Sequence, residues 1–328
     1  MSQDNFETDE YEYYLTRFNL VDRAERRSRK ASQGSKKAPS PVVERAESRE
    51  LEEEFTTTYQ PGRYEEGWLL SSLRPFYDQG LISDVLAQVK GGKEASVYRC
   101  AGHPTTGHEW LAAKVYRPRK FRNLRNDKMY RQGREILGSD GSPVKKNDDR
   151  VMRAIGKKTA FGMEVAHTSW LMHEYITLQQ LHRAGAAVPE PLAVGENAIL
   201  MSYLGDARRA APTLHEVHLD LDEAEVLFAE VLRNIELMLT QGLIHGDLSA
   251  YNILYWEGKI TLIDFPQVTR SQSNSDARFI LERDLARVCD YFAGQGVACD
   301  ADTLIEELWL RYIGPQEEEL WFPSDMFD

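Results

Sequence analysis

Apolar and polar positions recur along the chain at spacings that predict most of its elements. GWLLSSLRPFYDQGL has the spacing of a short helix and stops at Gly80. Three strand-like runs follow, ISDVLAQV, ASVYRC and WLAAKVY, the last two joined by the turn GHPTTGHE. GSDGSPVKKNDDR reads as a mobile loop. A helix is predicted over about 163–184, with Leu171, Tyr175, Leu178 and Leu181 at helical spacing. VPEPLAV and ENAILMSYLG read as a turn and two strands, and EAEVLFAEVLRNIELMLTQG as an amphipathic helix closed by Gly242. The strand-like runs NILYW and ITLIDF come next, and helices over about 276–293 and 302–313 complete the chain.

Strands with one helix, then a strand-like hinge, then a mostly helical part make an α+β chain of two lobes. The expected division is a disordered charged tail over 1–55, a β-rich N-lobe with one key helix over 56–200, and a helical C-lobe over 201–328. A flexible basic loop at 117–150 belongs to the first lobe, and a ligand is expected in the cleft between lobes. The tail has too little apolar surface to offset its ordering entropy. Its one sticky part is the aromatic cluster Tyr11, Tyr13, Tyr14 and Phe18.

Composition narrows the class. Of 328 residues, 42% are hydrophobic, enough for a large core, and no apolar run reaches the roughly 18 residues of a membrane helix. The acidic start MSQDNFETDEYEYYL lacks the layout of a signal peptide. Cys100, Cys289 and Cys299 show neither paired nor metal-ligand spacing, which fits a reduced compartment. A cytoplasmic protein without a membrane contact is therefore expected. The net charge of -12 is unevenly spread: Arg23 to Lys37 holds seven basic residues and one acid, Arg117 to Arg134 eight and one. That pattern argues against general coating of nucleic acid and allows one localised contact with phosphate, RNA or an acidic partner.

The chemistry concentrates in LIHGDLSAYNILYWEGKITLIDF, residues 243–265. Two carboxylates and a carboxamide stand there among apolar runs, with Asn252 five residues after Asp247 and Asp264 twelve after Asn252. Buried carboxylates are costly unless a cation or donor satisfies them. A metal carrying a phosphate would do so. Phosphoryl transfer needs metal and a cation on the phosphates and a group to orient the acceptor hydroxyl. In the arrangement that protein kinases use, Asp247 orients or accepts the hydroxyl proton, and Asn252 and Asp264 bind metal. Lys114 in LAAKVYRP is the strand lysine, Glu174 in SWLMHEYITLQQL its partner, and Gly91 and Gly92 form a short phosphate loop. His245 reads as a structural group that holds the catalytic loop by hydrogen bonds.

Over about residues 80–293 these motifs together resemble the RIO family of atypical protein kinases. GGKEASVY resembles its phosphate loop, WLMHEYITLQQLHRAGAAVPEPLA its helix ending in V-P-x-P, and ILMSYLG its hinge, with Met201 as gatekeeper. LIHGDLSAYNIL and ITLIDFPQ resemble its catalytic and metal loops. The resemblance implies a bilobal protein-kinase-like fold, ATP with Mg2+ or Mn2+, and serine autophosphorylation. It implies Gly91, Gly92, Lys93, Glu94 and Val97 at the nucleotide, Lys114 on the phosphates paired with Glu174, and the backbone of Ser202 and Leu204 at the adenine. It further implies Asp247 as the acid–base residue, Asn252 and Asp264 as metal ligands, and Asp264 as acceptor of a transient aspartyl-phosphate. Contact with the ribosome or RNA enters by the same analogy, and the protein substrate is unnamed. FRNLRN and IDFPQ lean to one subfamily and GGKEASVY to the other, so the subfamily is open, though the pattern suits a bacterial branch.

Two rivals share parts of this pattern. A small-molecule phosphotransferase of the aminoglycoside or choline kinase type also carries HGDxxxxN and a following ID, but not IDFPQ. A pseudokinase that only binds is opposed by the filled catalytic positions.

Overall fold

In the first unit, amphipathicity puts a helix over a sheet. The computed structural model describes residues 55, 57–92, 94–117, 134–145, 148–157 and 159–314. Two compact units divide the chain, Met1–Asn123 and Leu124–Asp328. The charged tail, most of the basic segment after Arg117 and the acidic end from 315 lie outside the described residues.

Helix α1 (Arg63–Asp78) buries Leu69, Leu73 and Phe76. They pack on an antiparallel meander of β1 (Ile82–Gly91), β2 (Ala95–Gly102) and β3 (Trp110–Tyr116). Strand β2 alternates strictly, burying Ser96, Tyr98 and Cys100, as a strand with one covered face must. Tyr98 and Tyr59 both donate their hydroxyls to the Glu65 carboxylate, which fastens the first turn of α1 to the sheet.

The loop expected over 117–150 runs into a helix that the sequence pattern did not predict. Leu137 bridges Pro143, as a turn would, but from Asp149 the chain forms α2 (Asp149–Gly156). The Asp148 side chain caps it by accepting from the Val151 N–H. Its apolar residues Val151, Met152 and Ile155 share one face, but eight residues are too few for that pattern to stand out in sequence.

Helix α3 (Ala160–Arg183) follows, then the hairpin of β4 (Pro191–Val194) and β5 (Ala198–Ser202). Helix α4 (Leu221–Thr240) starts at the cap Asp220 and buries Leu227, Val231, Ile235 and Met238 at helical spacing. After it come β6 (Leu243–Ile244), β7 (Ile253–Trp256), β8 (Lys259–Leu262) and β9 (Thr269–Arg270). Strands β6 and β9 pair antiparallel, as do β7 and β8. Helices α5 (Ala277–Gly294) and α6 (Ala301–Tyr312) close the unit. One core runs through it, from Leu178 and Leu181 of α3 to Ile305 and Leu308 of α6. A buried Asn234 pins α4 to the turn after α3, accepting from the Ala187 N–H at 2.6 Å.

The three cysteines are free. Among the described residues no helix is long and apolar enough to cross a membrane.

Candidate active site

Two short strands, β6 and β9, hold the catalytic loop between them. His245 follows β6 and is 2% exposed. Its Nδ1 accepts from the Asp247 N–H at 3.3 Å, and its Nε2 lies 3.1 Å from the Ile263 carbonyl. A ring that accepts at Nδ1 carries its proton on Nε2 and donates it to Ile263. His245 therefore ties the catalytic loop to the residue before Asp264, the holding role that the sequence indicated. The Phe265 ring, 4.9 Å away by centroid, packs beside it.

Gly246 takes φ +85°, and a Cβ there would lie 2.3 Å from the Gln267 carbonyl oxygen. Only glycine lets the two loops approach this closely. Its N–H donates to Asp284 Oδ2 at 2.7 Å, and its carbonyl accepts from Arg283.

Asp247 and Asn252 are joined directly. Asn252 Nδ2 donates to the Asp247 carbonyl at 2.8 Å and lies 3.4 Å from Asp247 Oδ2. The Asn252 carbonyl in turn accepts from the Ile263 N–H at 3.0 Å, so the catalytic and metal loops are laced together next to Asp264. Asp264 itself has φ +73°, a conformation sparsely used by residues with a Cβ and found where structure around it enforces it. Arg134, last of the basic segment, donates to the carbonyls of Pro266 and Val268 and braces the same loop.

The donors suit a hard divalent cation. With its NH2 end turned to Asp247, Asn252 is left to offer its carbonyl oxygen, and Asp264 offers carboxylate oxygens. Among the described residues no group of three His, Cys, Asp or Glu could hold an ion. A cation on Asn252 and Asp264 would take its remaining ligands from phosphate and water, which is how Mg2+ is usually held.

One turn of α5 grips this loop. Arg283 and Asp284 contact Gly246, and Arg287 Nη1 sits 2.8 Å from Asp247 Oδ1. Asp284 is 1% exposed, and burial pushes its carboxyl above the usual range, partly offset by Arg283 and the Gly246 N–H. None of these three was singled out from the sequence. The available signal was an acid inside an apolar stripe, Asp284 among Ile280, Leu281, Leu285 and Val288.

At the hinge, the Ser202 N–H donates to the Glu190 carbonyl at 2.8 Å, and the Leu204 carbonyl accepts from Ala211 at 3.0 Å. Met201 packs against the core, and Glu174 of α3 is 3% exposed.

The residues expected at the nucleotide in the first unit lie on β1, β2, β3 and the β1–β2 turn. Val97 and Lys114 are cross-strand partners, so their side chains share a face of the meander. The Lys114 Nζ lies 5.4 Å from the centroid of the Tyr116 ring. Gly92 closes the β1–β2 turn by donating to the Ala95 carbonyl at 2.9 Å, and a Cβ on it would meet that oxygen at 2.7 Å. Arg117 donates its N–H to the Glu94 carbonyl and its guanidinium to Ser96 Oγ, beside Gly91. Lys93 lies outside the described residues.

Residues 115–304 match the family described as RIO domain, a stretch holding Glu174, Asp247, Asn252 and Asp264 and starting one residue past Lys114. The chain is 30% identical over 248 residues to the serine/threonine-protein kinase RIO1 of Chaetomium thermophilum, covering 72% of this chain but 44% of that protein. The chain thus spans less than half the length of that relative. It is 32% identical over 137 residues to the RIO-type serine/threonine-protein kinase Rio1 of Thermoplasma acidophilum, covering 42% of this chain and 70% of that one. A solved Rio2 kinase–ADP/Mg2+–phosphoaspartate complex from Chaetomium thermophilum is similar over 76% of this chain and 70% of its own, with a TM-score of 0.48 and 19% identity.

Proposed function

This chain belongs to the RIO domain family, and on that premise we propose that it is an ATP-dependent serine/threonine protein kinase. Its α+β fold agrees with that membership. The observation that carries the reading is the direct bond from Asn252 to Asp247, with Ile263 tied to Asn252 so that Asp264 stands beside them.

In this reading Asp247 Oδ2 accepts the proton of a serine hydroxyl as its oxygen bonds to the γ-phosphorus. The bond from that phosphorus to the ADP oxygen breaks, and ADP leaves. Mg2+ or Mn2+ on Asn252 and Asp264 supplies charge neutralisation on the phosphates. Lys114 and Glu174 act as the phosphate-binding lysine and its carboxylate partner. Gly91, Gly92, Lys93, Glu94 and Val97 form the phosphate loop, which Gly92 turns. An adenine edge needs one carbonyl and one N–H. With the Ser202 N–H and the Leu204 carbonyl engaged within the chain, Ser202 C=O and Leu204 N–H are the pair to supply them, beside Met201. Asp264 can instead attack the γ-phosphorus itself, displacing ADP and giving an aspartyl-phosphate that water then hydrolyses to the free carboxylate and phosphate, which would make the protein an ATPase switch.

The reading divides the kinase into lobes at 56–200 and 201–328, and its compartment is the cytoplasm. The RNA or ribosome contact attaches to the basic segment from Arg117 to Arg134 and would weaken with salt. The small-molecule phosphotransferase is not favoured, since the match is to the RIO domain.

The test is incubation with γ-labelled ATP and Mg2+ of wild type, Asp247→Asn and Asp264→Asn. Acid-stable label on serine that needs Asp247 supports the kinase. Hydroxylamine-labile label or free phosphate that needs Asp264 supports the switch. Wild-type turnover in both variants removes the site assignment.

A further inference from the structure

Resting on the reading of Asp247 as catalytic, we propose that Arg287 is the positioning residue of that carboxylate. Its guanidinium fixes Oδ1 from outside the catalytic loop, so that Oδ2 stays turned toward the acceptor hydroxyl. The family pattern in the sequence assigns nothing to this position, which lies forty residues downstream of Asp247 on α5.

The geometry separates Arg287 from its neighbours on the same helical turn. Arg283 and Asp284 hold backbone atoms of Gly246, and His245 holds Ile263. These contacts already anchor the loop. Arg287 meets the reacting carboxylate itself, Nη1 to Oδ1 at 2.8 Å.

The carboxylate is then held at both ends, by Arg287 at Oδ1 and by the longer 3.4 Å approach of Asn252 at Oδ2. The short contact fixes the torsion of the group, and the long one leaves Oδ2 able to take a hydroxyl proton. The two side chains are 42% and 37% exposed, and an ion pair that open contributes little to stability. What it can set is the direction of one carboxylate oxygen, to which a proton-accepting step is sensitive.

The test compares wild type, Arg287→Gln, Arg287→Lys, Asp247→Asn and the double variant Arg287→Gln/Asp247→Asn. Single-turnover transfer from γ-labelled ATP, nucleotide affinity and melting temperature are measured for each. Arg287→Gln should lower the transfer rate about tenfold to a hundredfold. Its nucleotide affinity should stay at the wild-type value, and its melting temperature should barely move. Arg287→Lys, which keeps the charge but loses the planar fork, should recover part of the rate. In the Asp247→Asn background the Arg287 change should cost almost nothing, because the atom it positions no longer accepts a proton.

A wild-type rate in Arg287→Gln overturns the proposal, as does the same fold-loss in both backgrounds. If Asp247→Asn alone turns over like wild type, the catalytic reading of Asp247 fails first and takes the proposal with it. If Arg287→Gln melts early, the Arg287→Lys rate and its non-additivity with Asp247→Asn decide in the same way.

Discussion

His245 and Ile263 are joined through the Nε2 of one and the carbonyl of the other at 3.1 Å, and the bond crosses from the catalytic loop to the metal loop. The same ring accepts from the Asp247 N–H. One neutral imidazole thus sets the spacing of Asp247 and Asp264. His245→Ala leaves the partly buried Ile263 carbonyl and Asp247 N–H without this partner, a cost of about 1–3 kcal/mol at most. The expected outcome is a lower melting temperature together with loss of both turnover and metal-dependent nucleotide binding. Calorimetry with and without nucleotide checks it. A variant that loses turnover alone would mean that the ring takes part in proton transfer rather than in spacing.

Gly246 offers the sharpest steric test. Alanine there would bring a Cβ to 2.3 Å from the Gln267 carbonyl, and at φ +85° the backbone is already in a region that L residues avoid. The strain of such a conformation is about 1–3 kcal/mol before the clash is counted. Gly246→Ala should fold less stably and transfer phosphate poorly. Full activity would show that the two loops can move apart without consequence.

Gly92→Ala probes the other unit. Its Cβ would lie 2.7 Å from the Ala95 carbonyl, so the turn between β1 and β2 must open. A turn that binds phosphate should lose affinity, with KM for ATP rising about tenfold and kcat nearly unchanged. A fall in kcat with unchanged KM would remove Gly92 from the phosphate loop.

The contrast between what the sequence discloses and what it hides follows from distance along the chain. Asp247, Asn252 and Asp264 fall within one 23-residue stretch whose spacing is itself the signal. Strand β2 and helices α4 and α5 are legible because each buries a regular face, whereas α3, buried through Ser169–Met172 on every side, is legible by the length of its apolar run. Arg287 and Asp247 stand 40 positions apart, and Arg134 and Pro266 132 apart. No local period connects such pairs, so only folding reveals them. Helix α2 escaped for a different reason: its apolar face of Val151, Met152 and Ile155 spans only two turns, directly after a Gly- and Asp-rich loop.

Asp284 gives the chain a pH dependence whose sign can be worked out. Burial raises its carboxyl above the ordinary range, so the folded protein keeps that proton to a higher pH than the unfolded chain does. Folding takes up a proton in that window, and this residue's contribution to stability falls as pH rises through it. Asp284→Asn removes the titration yet keeps an oxygen to accept the Gly246 N–H, which now donates at 2.7 Å. Its stability relative to wild type should therefore climb as pH rises above about 4, the unfolded carboxyl's range, and level off once the folded carboxyl has ionised. Urea unfolding at a series of pH values measures this directly, and parallel curves for the two proteins would show that Asp284 does not titrate there. Asp284→Ala removes the acceptor as well and leaves a buried N–H unpaired, costing about 1–3 kcal/mol at every pH. Because that N–H belongs to the residue before Asp247, the alanine variant should lose phosphoryl transfer in proportion, whereas the asparagine variant should keep most of it.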